Sequence, residues 1–131
     1  MNPAIKIVSL TLTEGGYFLN DATGSFDETN SVIVEELANP DSPRTVFGLI
    51  VQALRRRRDD GVGPFTVMSC DNIPHNGDVA KGAVIGLAKL WDEELASWID
   101  SNVGFPNSMV DRITPMTGDA ERQFVKEELG Y

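Results

Sequence analysis

Residues 5–12, IKIVSLTL, are almost unbroken in aliphatic and β-branched side chains, and the run then stops at TEGG. Gly15 and Gly16 are turn punctuation. An apolar stretch of this kind predicts a strand buried on both faces, the environment a parallel sheet provides. A second apolar run, residues 65–68, ends as abruptly in the polar loop SCDNIPHNGD. Between the two, DSPRTVFGLIVQALRRRRDDG reads as a helix. Asp41 or Ser42 serves as N-cap, Pro43 suits the first turn, and Val46, Leu49, Ile50, Ala53 and Leu54 share one apolar face. Arg55, Arg56, Arg57 and Arg58 fall in the last turn, where cations complement the helix dipole, and read as a solvated end. Gly61 and Gly63 close the helix.

The remaining pattern extends this alternation. Residues 20–44 are polar and loop-like, with residues 31–34 as an edge strand or an irregular excursion. Asn76 or Asp78 caps a helix from 79 to about 91. The spacing of Gly82 and Gly86 permits close packing of that helix against the sheet. DEELASWIDSNV is a further helix with Leu95, Trp98 and Ile99 on one face. Met109 and Val110 form a short strand, and a capping pattern at Thr117 starts a last helix. Strands alternating with helices define the fold class as α/β: a doubly wound, mostly parallel sheet flanked by helices. Ligands of such sheets sit at the carboxyl ends of the strands. Glu14, Asn72 and Asp111 follow the three expected strands and make a plausible site floor.

The 131 residues suffice for one domain, and a net charge of −9 disfavours binding to nucleic acid or to anionic membranes. No apolar run approaches the roughly 20 residues that span a bilayer. The first residues show no apolar signal-peptide core with a cleavage site. The single cysteine, Cys70, cannot form an internal disulfide, so a reducing, cytoplasmic setting is expected.

Cys70 and His75 invite a thiol-enzyme reading, with cysteine as nucleophile and histidine as base. The blander reading is stronger: a small core hydrophobe after a strand, and a surface histidine beside Pro74. One cysteine and one histidine do not make a structural zinc site, and neither GxGxxG nor a P-loop is present. Asn72 can donate to an oxygen that changes charge during a reaction, or simply close an Asx-turn. Asp111 adjoins Arg112 and can be one half of a local ion pair. Glu14 can be a solvated loop carboxylate. The residues by themselves define an α/β domain with a polar cluster at its strand ends.

Three stretches carry more: IVSLTLTEGGY, FTVMSCDNIPHNGDVAKGAV and NVGFPNSMVDRITP. In sequence and order they resemble the long-chain mannitol dehydrogenase family, which includes fructuronate and tagaturonate reductases. Phe105, Ser108, Val110, Asp111, Arg112, Ile113 and Pro115 fit the family signature. The resemblance implies metal-independent hydride transfer between a polyol or keto sugar and NAD or NADP. It makes Asn72 a holder of the reacting oxygen, Asp111 an acidic residue that positions or tunes a lysine base, and Glu14 part of the proton path. The family's glycine-rich pyrophosphate turn and its lysine-bearing C-terminal domain have no counterpart in the 131 residues. The chain therefore reads as the second half of a Rossmann domain, inactive alone and inclined to self-associate or to co-fold with the missing part. The alternative is a non-catalytic remnant that acts at most as a binding module.

Overall fold

β1 (Ile7–Leu10) and β2 (Thr66–Ser69) pair in parallel, with Ile7 opposite Thr66 and Leu10 opposite Ser69. The computed structural model describes residues 2–20, 22–111 and 116–130. The crossover from β1 to β2 runs through a 3-10 turn (Glu14–Tyr17), α1 (Ser31–Leu37) and α2 (Val46–Asp59). After β2 come α3 (Asn76–Trp91), α4 (Glu93–Asn102) and α5 (Asp119–Leu129). α3 is the hub, packing against β2, α2 and α4. Phe47, Leu54, Val67, Val84, Leu87, Leu95 and Ile99 are fully buried around it. Each large side chain so buried contributes about 1.5–3 kcal/mol of transfer free energy.

Several expectations are corrected. β1 is not buried on both faces: Ile7 is 57% exposed and only Leu10 is buried. Ile7 and Ser9 share a face left exposed among the described residues, while Val8 and Leu10 on the opposite face are half-buried and buried. Separately, β2 pairs one edge of β1, and no other described strand pairs the second. Between β1 and α2 lies an apolar groove of about 390 Å³, walled by Ile5, Val8, Leu49, Ile50, Ala53 and Phe65. Residues 31–34 are helical. Asn30 accepts the Val32 N–H at the start of α1, and Ile33 is buried. Met109 and Val110 belong to no strand; instead, the chain just before them lies along β2, with the Val67 N–H donating to the Gly104 carbonyl at 3.0 Å.

α2 is rotated from the expected face. Its N-cap is Thr45, whose hydroxyl accepts the Gly48 N–H, rather than Asp41 or Ser42. Phe47, Ile50, Val51 and Leu54 point inward, while Val46 and Leu49 are exposed beside the groove. The arginine run is not uniformly solvated. Arg57 is buried, donates to the carbonyls of Gly63 (2.6 Å) and Asn2 (3.1 Å), and lies over the Phe65 ring. Gly86 approaches the Phe26 ring rather than the sheet: a Cβ there would stand 2.4 Å from Phe26. The final helix begins at Asp119 behind Gly118, whose N–H donates to Glu121, one residue later than the Thr117 pattern implied.

Candidate active site

The carboxyl ends of β1 and β2 lie side by side, so the loops that leave them meet. Asp71 fastens the two. Its carboxylate accepts the Leu12 N–H at 2.6 Å and the Tyr17 hydroxyl, both from the β1 side. Ser69 joins the same cluster through its hydroxyl, 2.7 Å from that of Tyr17. Tyr17 and Ser69 are fully buried, and the Tyr17 ring packs tilted against Phe47. Burial, and then the bond to the Asp71 carboxylate, push the Tyr17 phenol up to about 12.

Asn76 fastens the same loop to a third segment. The chain enters α3 through His75 in the left-handed region (φ 54°), and Asn76 turns inward. Its side-chain amide donates to the Asp71 carbonyl (3.1 Å) and to the carbonyl and hydroxyl of Ser108 (both 3.0 Å). Its carbonyl oxygen accepts the Ser108 N–H at 2.9 Å, and the Ser108 hydroxyl donates to the Ser69 carbonyl at 2.8 Å. Asn76 is thus the first residue of α3 and a cross-link; neither it nor Asp78 is the cap. The cap comes from Asn107, whose side-chain oxygen accepts the N–H groups of Gly77 and Asp78.

Around these two fasteners stand the residues singled out from sequence. Asn72 is exposed in the loop between Asp71 and Asn76, with its carboxamide free of the turn-closing role it could have had. That loop closes instead through the Ile73 N–H to the Asp71 carbonyl, at 2.8 Å. Glu14 opens the 3-10 turn that Tyr17 ends. Asp111 is exposed, three positions past Ser108; its neighbour Arg112, with Ile113 and Pro115, lies outside the described residues. The structure brings the Glu14 turn and the Asn72 loop together through Asp71, and ties the segment leading to Asp111 through Asn76.

Cys70 and His75 do not form a nucleophile–base pair. The Cys70 thiol faces the Met68 carbonyl at 3.9 Å, and His75 is largely exposed, 3.8 Å from Asp78. A separate cleft of about 600 Å³ lies between α3 and residues 19–28. Of the polar loop it takes only Asp78, so it is not the site. Sequence reasoning missed Asp71, Tyr17, Asn76 and Ser108 as parts of the site.

Parallel strands joined by a helical crossover, with converging polar loops at their carboxyl ends, define a Rossmann-type α/β domain, here in part. A family profile described as the mannitol dehydrogenase Rossmann domain matches residues 1–129. The chain belongs to the mannitol dehydrogenase family. It is 59% identical over 125 residues to a mannitol 2-dehydrogenase of Cereibacter sphaeroides, covering 95% of this chain and 26% of that protein. It is 60% identical over 115 residues to a polyol:NADP oxidoreductase of Gluconobacter oxydans, covering 88% and 24%. Among solved structures, Pseudomonas fluorescens mannitol 2-dehydrogenase, in ternary complex with NAD and D-mannitol, superposes with a TM-score of 0.80. That match has 53% identity and covers 97% of this chain and 26% of the other. The chain thus spans about a quarter of the length of the relatives it matches.

Proposed function

We propose that these residues form part of the active site of an NAD(P)-dependent oxidoreductase that interconverts a mannitol-like polyol and a keto sugar by metal-independent hydride transfer. The observation that carries this reading is the pair of fastened loops at the carboxyl ends of β1 and β2, bearing Glu14 and Asn72, in a chain 59% identical to a mannitol 2-dehydrogenase. The Asn72 carboxamide is exposed and neutral. It donates to the substrate oxygen as charge develops there, without a competing charge of its own. Asp111 positions or tunes the base, and Glu14 serves the proton path.

The nicotinamide supplies the hydride acceptor when the cofactor is bound. The residues present suit the reacting end of such a cofactor: polar loops at a parallel strand end. They lack the glycine-rich turn that would cradle its pyrophosphate. We therefore read the 131 residues as the second half of the nucleotide-binding domain, with the base and the pyrophosphate turn contributed from outside this span. The open edge of β1 and its apolar groove favour docking of that remainder, or self-association where the remainder is missing. The same surface is what a non-catalytic binding module would use. The lone, disulfide-free Cys70 supports a cytoplasmic setting.

The test is a chimera that carries these residues in the matching span of the Cereibacter sphaeroides relative. The chimera should reduce NAD(P) with a polyol, and Asn72→Ala should lower its kcat by about 100-fold or more, the cost of one lost oxyanion donor. An Asn72→Ala chimera with undiminished kcat would overturn the reading. The purified chain alone should give no polyol-dependent change in NADH absorbance.

A further inference from the structure

We infer that Asp71 is a positioning residue for this active site: its buried carboxylate sets where the Glu14 turn stands relative to Asn72. The inference rests on the reading of Glu14 and Asn72 given above, and it concerns a residue whose two carboxylate oxygens are both engaged by protein donors.

A carboxylate is acceptor-only, and Asp71 uses both of its oxygens on donors from one short segment. Oδ1 takes the Leu12 N–H and Oδ2 takes the Tyr17 hydroxyl. Glu14 lies between these two donors in the chain. Both ends of its turn are therefore pinned to one side chain, and that side chain immediately precedes Asn72. The pins have little play. Leu12 follows the last rung of the parallel ladder, where the Cys70 N–H donates to the Leu10 carbonyl at 2.8 Å. Tyr17 is fully buried against Phe47, so its ring and hydroxyl oxygen are held in place. Ser69 completes the cluster from the strand itself: its hydroxyl oxygen accepts the Asp71 N–H at 3.4 Å. Asp71 is also held from behind, because its carbonyl accepts from Asn76 and Ile73. A carboxylate fixed on three sides transmits the geometry of one loop to the other.

The chemistry of the two donors explains why aspartate is needed. Asparagine offers one oxygen in place of two. With that oxygen on Leu12, its NH2 faces Tyr17, whose hydroxyl must then turn to accept. The shape survives while the polarity of one contact reverses. Alanine removes both pins and leaves the Leu12 N–H and the Tyr17 hydroxyl without their acceptor.

The experiment uses the same chimera. Asp71→Ala should lower kcat by about 100-fold, the scale of an ångström-level misplacement of reacting groups, with KM for the dinucleotide within about twofold. Asp71→Asn should recover part of the loss, and the pH profile of kcat should shift in Asp71→Ala, because there the Glu14 turn has moved relative to Asn72. In the 131-residue chain itself, Asp71→Ala should speed amide hydrogen exchange across residues 12–17 while α2 and α3 stay protected. Unchanged exchange at residues 12–17 would overturn the inference even if the chimera proved inactive. So would a normal kcat and pH profile in Asp71→Ala, or a kcat in Asp71→Asn no higher than in Asp71→Ala. Asn72→Ala in the same background separates the two ideas. Loss of activity there with Asp71→Ala normal removes the positioning role alone, while normal activity in Asn72→Ala removes the functional reading.

Discussion

The Tyr17 hydroxyl donates to the Asp71 carboxylate across 54 positions of sequence, inside a cluster closed to solvent. This contact makes the two strand-end loops behave as one unit, and it carries a titration.

The phenol of Tyr17 is raised from its ordinary value of 10.0 to about 12 by burial and by the neighbouring carboxylate. The folded state therefore holds the proton more tightly than the unfolded chain does. The associated stability is fully present below pH 10 and is lost as the pH rises from about 10 towards 12. The loss amounts to roughly 2–3 kcal/mol at about 1.4 kcal/mol per pH unit. Urea unfolding at stepped alkaline pH should show this decline in the parent chain. Tyr17→Phe should be less stable at neutral pH by about 1–3 kcal/mol, since it strips a donor from a buried carboxylate. It should also lack the Tyr17 component of the alkaline decline; parallel pH profiles for the two proteins would refute the assignment.

Asn76 is the second fastener, and every hydrogen-bonding atom of its side chain is engaged. Asn76→Ala should cost about 3 kcal/mol in chemical denaturation, from several buried bonds lost together. Asn76→Asp should cost as much, because a carboxylate cannot donate to the Asp71 and Ser108 carbonyls. A loss below about 0.5 kcal/mol for either would mean that the loop and residues 104–108 dock by other means.

Gly77 has an ordinary helical setting but an extraordinary neighbour. A Cβ placed there would stand 2.5 Å from the backbone carbon and oxygen of Pro106, which are not free to rotate away. Helix propensity alone would make Gly77→Ala stabilising by about 1 kcal/mol. The steric term should win, giving a lower melting temperature and faster hydrogen exchange at Ser108. A higher melting temperature would show that residues 104–108 yield at little cost.

Asp92 caps α4 by accepting the Leu95 N–H at 3.0 Å and pairs with Arg58 at 3.3 Å. The Leu95 bond, followed by Arg58, holds its carboxyl below the usual range. Its contribution is therefore present above the ordinary carboxylate pKa and fades as the pH falls through the lowered one. Asp92→Ala should cost about 1 kcal/mol at pH 7, as expected for loss of an N-cap. The difference from the parent should shrink in acid; a pH-independent difference would rule out the charged cap.

What could be read from the sequence divides along physical lines. The apolar runs announced β1 and β2, periodicity announced α2 and α4, and capping residues announced α3 and α5, because each signal lies within one element. α1 was hidden: Val32, Ile33 and Val34 favour a strand locally, and it is the Asn30 cap and the burial of Ile33 and Glu36 that make the segment helical. Arg57 was hidden for a related reason, since its carbonyl partners come from Gly63 and Asn2. Of the site, Asn72, Glu14 and Asp111 came into view by their places after the expected strands, and their roles through the family resemblance. Asp71 did not, because its role exists only through partners on another strand's loop, and no local pattern marks a carboxylate as buried.

Ser69 ends β2 and belongs to both fasteners: its hydroxyl meets Tyr17, and its carbonyl takes the Ser108 hydroxyl. In the parallel pairing Ser69 stands opposite Leu10, so both sets of contacts depend on the register of the two strands. A slip of one residue would turn the side chain at this position to the opposite face and break both sets of polar contacts at once. Ser69 thus checks the alignment of the sheet, and only a correctly registered chain brings the two loops together.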